Sequence, residues 1–571
     1  MKTLADRIAV AAKRAAPDLV LKGARVINVF SHEVIKADVA ICGEFIAGVG
    51  PDYSGERVLE LDGAFVSPGL IDAHIHMESS MLHPRRLACA LLRCGTTTII
   101  ADPHEIANVA GLKGIDFMLR ETTGLPLDVF FMAPSCVPAS PLETSGAVIG
   151  PAELKYLAQN PRILGLAEVM NYPGIVAGSQ ELLEKIEIFS EKIIDGHCPG
   201  LGGEGLQGYI SAGIRSDHEC TTTEEVIEKL RSGMVIMIRE GSVAKNLQDL
   251  APAVNSERAG RFCLVSDDLH PQDIVGMGHL NHILKKATVL GIDPVVAVKL
   301  VTLNPANFYR LHDRGAVAPG YRADLVIFED LGEFKVRSVI KNGRPVLEEL
   351  DQIEELDLTC PDELNIMECS PVPPNAFSIP CEGKKRARLI ELVDRQIITK
   401  AAIEEIKGVQ GLFKPDIERD ILTIAVVERY KGSGRTGLGL VRGFGLKRGA
   451  IGASIAHDSH NIVTVGADAI DMAVAANEIM RMKGGLVVAE GGSVIKRLPL
   501  PIGGLMSMEP LGDVSRLLVS LCKEARARLG CTLEDPFMVL SFLALPVIPE
   551  LRVTDLGMVD VNEFKVVSLF L

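Results

Sequence analysis

The sequence contains no tryptophan, and aromatic residues of all kinds make up 4% of its 571 positions. Indole fluorescence is therefore closed as a binding signal. Its 12 cysteines never fall as C-x-x-C. That removes structural zinc sites built on clustered thiolates and the zinc deaminases that carry P-C-x-x-C. Irregular cysteine spacing in so long a chain argues for reduced thiols in a cytoplasmic enzyme, not for a disulfide framework. Apolar runs stop short of the roughly 18–20 residues that a membrane helix requires. Positive charge is also in short supply. A formal net charge of -15 argues against nucleic acid or an anionic membrane as the main partner. Residues 1–19, "MKTLADRIAVAAKRAAPDL", read as an amphipathic helix of the mature protein, since no cleavage site follows an apolar block. No fixed-period repeat is visible.

What is present is ordinary for a folded protein: 47% hydrophobic and 23% charged residues, in a chain long enough for about two to four domains. Residues 19–50 have the texture of short strands broken by turns, and the same texture returns at 315–347. One small β domain assembled from both ends of a long insertion is expected, with its parts at 1–66 and 311–347. Between them, at 67–310, strand candidates at 71–76, 96–102, 128–133, 163–169, 194–199, 214–220, 234–240 and 262–268 alternate with helical stretches. Thr222 and Glu225 form a capping box ahead of one such helix. Eight alternations predict a (β/α)8 barrel, with an open doubly wound sheet as the structural alternative. Acidic and proline-rich residues 348–376 read as a linker. A further α+β domain is expected over 377–571, with strands near 421–430 and 461–466 and helices near 468–482 and 513–529. A Gly-Gly hairpin at 486–496 and a helix stop at Gly530 complete it.

The chemistry collects where the barrel strands end. "DAHIHMESSM" at 72–81 places His74 and His76 one residue apart, on one side of a strand. "ADPHE" supplies Asp102, His104 and Glu105, "GLAEVM" Glu168, "DGHCPG" His197, "SDHEC" His218 and "VSDD" Asp267 and Asp268. In a barrel all these strand ends face one mouth. Singly, each is a satisfied polar residue or a helix cap. Together, imidazoles and carboxylates at six of eight strand ends define a metal site. Four imidazoles, two carboxylates and no required thiolate suit Mn, Fe or Zn. Six ligands exceed the needs of one tetrahedral ion, so a bridged pair is expected, which makes hydroxide available near neutral pH. The chemistry implied is hydrolytic, with a spare carboxylate as general base.

These motifs, with "SPGLIDAHIH", "TTTIIADPHEIANV", "GHCPGL" and the later "AHDSHNIVTVG", resemble the adenine deaminase family of the amidohydrolase superfamily over nearly the whole chain. The resemblance implies a split β-sandwich around the barrel, an additional C-terminal domain, and hydrolysis of adenine to hypoxanthine and ammonia at a binuclear Mn or Fe centre. It implies that His74 and His76 hold one ion with Glu168 and Asp267. His197 and His218 would hold the other, sharing Glu168 as bridge where many superfamily relatives use a carbamylated lysine. Asp267 would orient and deprotonate the water. A homo-oligomer, as a dimer, is also implied.

Other groups stay open at this level. Glu105 is either a proton shuttle or a first-turn carboxylate meeting a helix dipole. Asp102 and His104 are candidates for substrate contact. Glu219 and Asp268 each sit beside a ligand and face the other way if their strands continue, which makes them structural. Cys198 and Cys220 read as small buried residues. His457, Asp458 and Ser459 of "AHDSHN" form no serine triad by mere adjacency. Their loop either approaches the barrel mouth to help enclose substrate or is a solvated turn. "GSGRTG" at 432–437 meets G-x-G-x-x-G but opens no helix, so dinucleotide binding is set aside. Lys431, Arg435, Arg442, Lys447 and Arg448 around it are either a phosphate clamp or a solvated loop. A cyclic amidase, a nucleoside or nucleotide deaminase and a non-catalytic binding module are the competing functions. The cyclic amidases would carry lysine where this chain has Glu168.

Overall fold

The computed structural model describes residues 2–394 and 396–571. A short helix, Leu4–Ala11, capped by Thr3, leads into the first sheet. Strands β1 (Leu19–Asn28), β2 (Glu33–Cys42), β3 (Phe45–Gly50), β4 (Val58–Glu60) and β5 (Phe65–Pro68) form its N-terminal part.

The chain then enters the barrel through β6 (Leu70–His76), β7 (Thr96–Ala101), β8 (Asp128–Ala133), β9 (Ile163–Val169) and β10 (Ile193–Gly196). These five pair in parallel in sequence order. Three more parallel strands follow, β11 (Ser216–Asp217), β12 (Val235–Arg239) and β13 (Phe262–Val265). Two seams close the ring. Arg215 N–H donates to the Ile194 carbonyl at 3.2 Å between β10 and β11. At the other seam β14 (Asp267–Asp268), continuing β13 after Ser266, pairs in parallel with β6. The eight-stranded barrel is thus closed, and the open doubly wound alternative is excluded. Gly196 is needed at the first seam, because a Cβ there would lie 2.2 Å from the Ser216 carbonyl oxygen. Small and branched side chains fill the interior, among them Ile71, Ala73, Ile100, Ala167, Cys263 and Val265. At the second seam the buried Asp72 carboxylate accepts from Ser266 Oγ at 2.6 Å and lies 2.8 Å from His279 Nε2.

After the barrel, β15 (Leu325–Phe328), β16 (Val336–Lys341) and β17 (Arg344–Pro345) return to the first sheet. β15 pairs with β5, so both chain segments share one eight-stranded sheet. Its core includes Leu21, Val39, Ile41, Val66, Leu325 and Ile340. Residues 348–376 run as short helical turns, anchored where Arg93 pairs with Asp351 and Glu354.

The remaining chain is built on a nine-stranded sheet. It contains β18 (Lys384–Leu392), β19 (Thr399–Val409), β20 (Leu412–Phe413), β21 (Leu422–Val427), β22 (Thr436–Arg442), β23 (Ala450–Ala453), β24 (Ile462–Gly466), β25 (Gly485–Glu490) and β26 (Ser493–Pro499). Helix Ala469–Met482 covers one face through Met472, Ala476 and Ile479. Helix Leu511–Leu529 ends at Gly530, whose φ of 81° is the left-handed cap that glycine adopts without strain.

"GSGRTG" leads into strand β22 rather than a helix. The amide of Lys431, just before it, and that of Ser433 within it donate to the Glu428 carboxylate and so are not free for a phosphate. Arg435, Arg442 and Arg448 pair with Asp555, Glu391, Glu404 and Glu490, so the phosphate clamp is not formed. The capping box at Thr222 is half made. Thr222 Oγ1 accepts the Glu225 amide at 3.3 Å, but the Glu225 carboxylate takes the Thr221 and Gly200 amides instead. All 12 cysteines are unpaired, and Cys198 and Cys220 are buried.

Candidate metal centre and substrate cleft

β6 carries a register irregularity between Asp72 and Ile75, a bulge of the kind that re-aims side chains beside active sites. His74 and His76 follow from it, both buried, with ring centroids 4.9 Å apart. His76 Nδ1 lies 3.2 Å from the Asp102 carbonyl oxygen, its hydrogen-bond acceptor, which leaves Nε2 as the lone-pair nitrogen. That Nε2 lies 3.1 Å from Asp267 Oδ1 and 3.5 Å from Glu168 Oε1. His74 Nε2 is 3.5 Å from the same Asp267 oxygen, and its ring stacks on His218 at 4.2 Å. Across the mouth, His197 Nδ1 and His218 Nε2 are 2.6 and 3.1 Å from Glu168 Oε2, and 3.2 Å from each other. The structure therefore brings His74, His76, Glu168, His197, His218 and Asp267 to one place.

Asp267 sits at φ 60°, a left-handed conformation that costs a non-glycine residue about 1–3 kcal/mol and clusters at functional sites. Pairing with β6 and a 3.1 Å bond from Arg239 to Oδ2 hold it there. Arg239 also forks onto Glu219. Glu219 departs from the expectation that it faces away. β11 stops at Asp217, alternation ends with it, and Glu219 Oε1 lies 3.5 Å from His218 Nε2 and 3.6 Å from His197 Nδ1. Asp217 takes the structural role instead, buried against Lys229 at 2.9 Å. Asp268 is a second departure: it accepts from Ser79 Oγ and lines the cleft at the mouth.

Whether this donor set fits a metal can be read from its unsatisfied atoms. His74 Nε2 is buried without a hydrogen-bond partner. Two imidazole nitrogens and a carboxylate oxygen converge where only a cation relieves all three. Burial would raise the Glu168 carboxyl, but His218 and His197 outweigh it and hold the group well below the usual range. Burial acts likewise on Asp267, which His74, His76 and Arg239 hold well below. A nitrogen and carboxylate set with ionised oxygens and no thiolate suits divalent transition metals. The residues fit.

Asp102 precedes the helix His104–Ala110, accepting the His104 amide at 3.1 Å and lying 3.1 Å from His104 Nδ1. His104 Nδ1 is also 3.6 Å from Glu168 Oε1, so both residues stand beside the centre. Glu105 is reached from the other half of the chain. The "AHDSHN" loop is buried at the mouth, with His457 Nδ1 2.6 Å from Glu105 Oε1 and His460 Nε2 bonded to Oε2. Burial would raise Glu105, yet His457, His460 and His104 hold it well below the usual range. Burial lowers and Glu105 raises His457, with a net rise to about 9, while burial takes His460 down to about 4. The two imidazoles that share the Glu105 carboxylate are thus driven in opposite directions. Asp458 is buried with Oδ2 unpartnered, and burial pushes it to about 6. Ser459 braces the loop, its carbonyl accepting the Tyr430 hydroxyl. Arg239 and Glu78 were not singled out from sequence: Arg239 lies inside a strand candidate, 234–240, and Glu78 inside the stretch 72–81 that carries His74 and His76.

A closed (β/α)8 barrel with this nitrogen and carboxylate cluster at its mouth is the architecture of an amidohydrolase. Residues 65–346 match the family model described as "Amidohydrolase family", and residues 396–565 match "Adenine deaminase C-terminal domain". "Adenine deaminase 2" of Carboxydothermus hydrogenoformans is 46% identical over 576 residues, covering 100% of both chains. "Adenine deaminase" of Desulfatibacillum aliphaticivorans is 46% identical over 578 residues, covering 99% of each. The chain belongs to the adenine deaminase family.

Proposed function

We propose that this protein hydrolyses adenine to hypoxanthine and ammonia at a binuclear divalent centre, with manganese or iron as the resident metal and zinc as a further possibility. The observation that carries this reading is the convergence of six nitrogen and carboxylate side chains at the mouth of a barrel whose chain is similar throughout to adenine deaminases. His74, His76 and Asp267 would hold one ion and His197 and His218 the other, with Glu168 shared and Glu219 within reach of the second. When bound, the pair supplies Lewis acidity and water of lowered pKa.

The chain's own groups move the protons. Asp267, held ionised, takes a proton from the water that adds to purine C6. Arg239 fixes its Oδ2 and leaves Oδ1 toward the histidines. The Glu105–His457 pair delivers a proton to the ring nitrogen beside C6 as that carbon becomes tetrahedral. The proton on Asp267 then passes to the amino group, which departs as ammonia. Collapse to the C6 carbonyl returns one proton to the Glu105–His457 pair. One water is consumed and both carboxylates are restored.

No helix among the described residues is long and apolar enough to cross a membrane. The reading includes a cytoplasmic homodimer, to be checked by light scattering. The deciding assay follows ammonia release by Mn- or Fe-loaded protein from adenine, adenosine, AMP, dihydroorotate and hydantoin. Adenine-selective release is expected; release from the cyclic amides alone would overturn the proposal.

A further inference from the structure

Between the barrel mouth and the C-terminal domain lies a cleft with two unlike walls. One is polar and includes Glu78, Glu105 and Asp268, while the other includes Leu505, Phe537 and Phe542. His457 stacks on Phe542 at 4.5 Å, joining the two walls at the Glu105 side. As it stands the cleft encloses about 30 Å³, so a flat heteroaromatic base would enter by parting its walls, its face against apolar side chains and its edge against hydrogen-bonding groups.

Glu78 is the unexplained member. It stands two residues beyond His76 on the turn Met77–Ser80 and is 2% exposed. Its Oε1 accepts the Ile106 amide at 3.0 Å, which fixes the carboxyl against the helix that carries Glu105. Its Oε2 is buried and meets no hydrogen-bond donor from another residue. A carboxyl oxygen pinned in this way and left unsatisfied beside a cleft calls for a donor from the ligand.

Building on the adenine reading, we infer that Glu78 recognises the free base by accepting a hydrogen bond from the imidazole-ring N–H of the purine. Adenine offers two kinds of N–H donor. The amino group departs from the reacting carbon, so it cannot anchor the ring through turnover. The ring N–H is kept in substrate and product alike, and a sugar at that nitrogen removes it. Glu78 therefore discriminates the free base from its nucleoside, as buried acceptors reject analogues that lack the donor.

The test uses the full-length metal-loaded protein with adenine, 7-methyladenine and 9-methyladenine, comparing wild type with Glu78→Gln by calorimetric binding and by kcat/KM. Glutamine keeps the bond to Ile106 through its oxygen and turns an amide donor toward the cleft. Adenine affinity is expected to fall by about 30- to 100-fold, as for an unmatched buried donor, with metal content unchanged. The wild type's preference for adenine over the methyladenine that blocks the read nitrogen is expected to collapse to within about threefold. Glu78→Ala, which removes both oxygens, should lose the same preference. Adenine binding within about threefold of wild type in Glu78→Gln, or undiminished discrimination in both variants, would overturn the inference while leaving adenine deamination standing. A wild type that neither binds nor deaminates adenine would overturn both.

Discussion

Two histidine clusters stand side by side at the barrel mouth, made of the same residue types to different ends. In the first, His74, His197 and His218 direct nitrogens at one another and at Glu168, and His74 Nε2 has no hydrogen-bond partner. In the second, each Glu105 oxygen is taken by its own imidazole, His457 on one and His460 on the other. The spacing of Glu105, His457 and His460 would also admit a cation. Hydrogen-bond satisfaction separates the two cases. The first cluster is incomplete without positive charge, whereas the second is complete as a proton-holding network.

The largest effect should come from the base on the metal side. Asp267→Asn is expected to lower kcat by about 10³- to 10⁴-fold, near the upper range for general base loss, while thermal unfolding changes little. Near-wild-type turnover would remove Asp267 from its role.

Next, the clusters can be set against each other by metal analysis. His218→Asn should lose one of two ions, because His218 belongs to the centre. His460→Asn should keep both ions yet lower kcat by about 10- to 100-fold, since it disturbs only the carboxylate that handles the proton. Metal loss in His460→Asn would erase the distinction drawn above.

A histidine away from both clusters gives the pH control. His83 is buried, accepts the Arg85 amide at Nδ1, and burial lowers it to about 4. Its folded pKa lies below its unfolded value near 6.5, so the unfolded chain binds more protons between those limits. Stability should therefore fall as pH drops from about 6.5 toward 4, by up to about 3 kcal/mol. His83→Gln should remove its share of that limb in denaturant titrations, leaving the share of His460, which burial also lowers to about 4.

Smaller still is the seam between the halves. The buried Asp555 carboxylate accepts the Thr144 amide and hydroxyl at 2.8 and 2.7 Å. Asp555→Ala should cost about 2 kcal/mol through the donors left unpaired, read as a lower unfolding midpoint.

The barrel and its cluster were legible because each ligand closes an apolar run, and a barrel sends every such end to one face. Alternation also misled. β11 is two residues long, so the parity argument that set Glu219 aside had no strand to act on. Glu105, His457 and His460 were visible as residues but not as partners, being 352 and 355 positions apart. Local pattern carries no information on so distant a contact. Glu78 was hidden for another reason. A glutamate in a turn is ordinary until its one free oxygen is found buried at a cleft.

The account is tested most directly by titrating metal-free protein with Mn or Fe while following ammonia release from adenine. Activity should rise linearly and break at two ions per chain, with adenosine inert throughout. Saturation of the site with metal and no ammonia from adenine would contradict it.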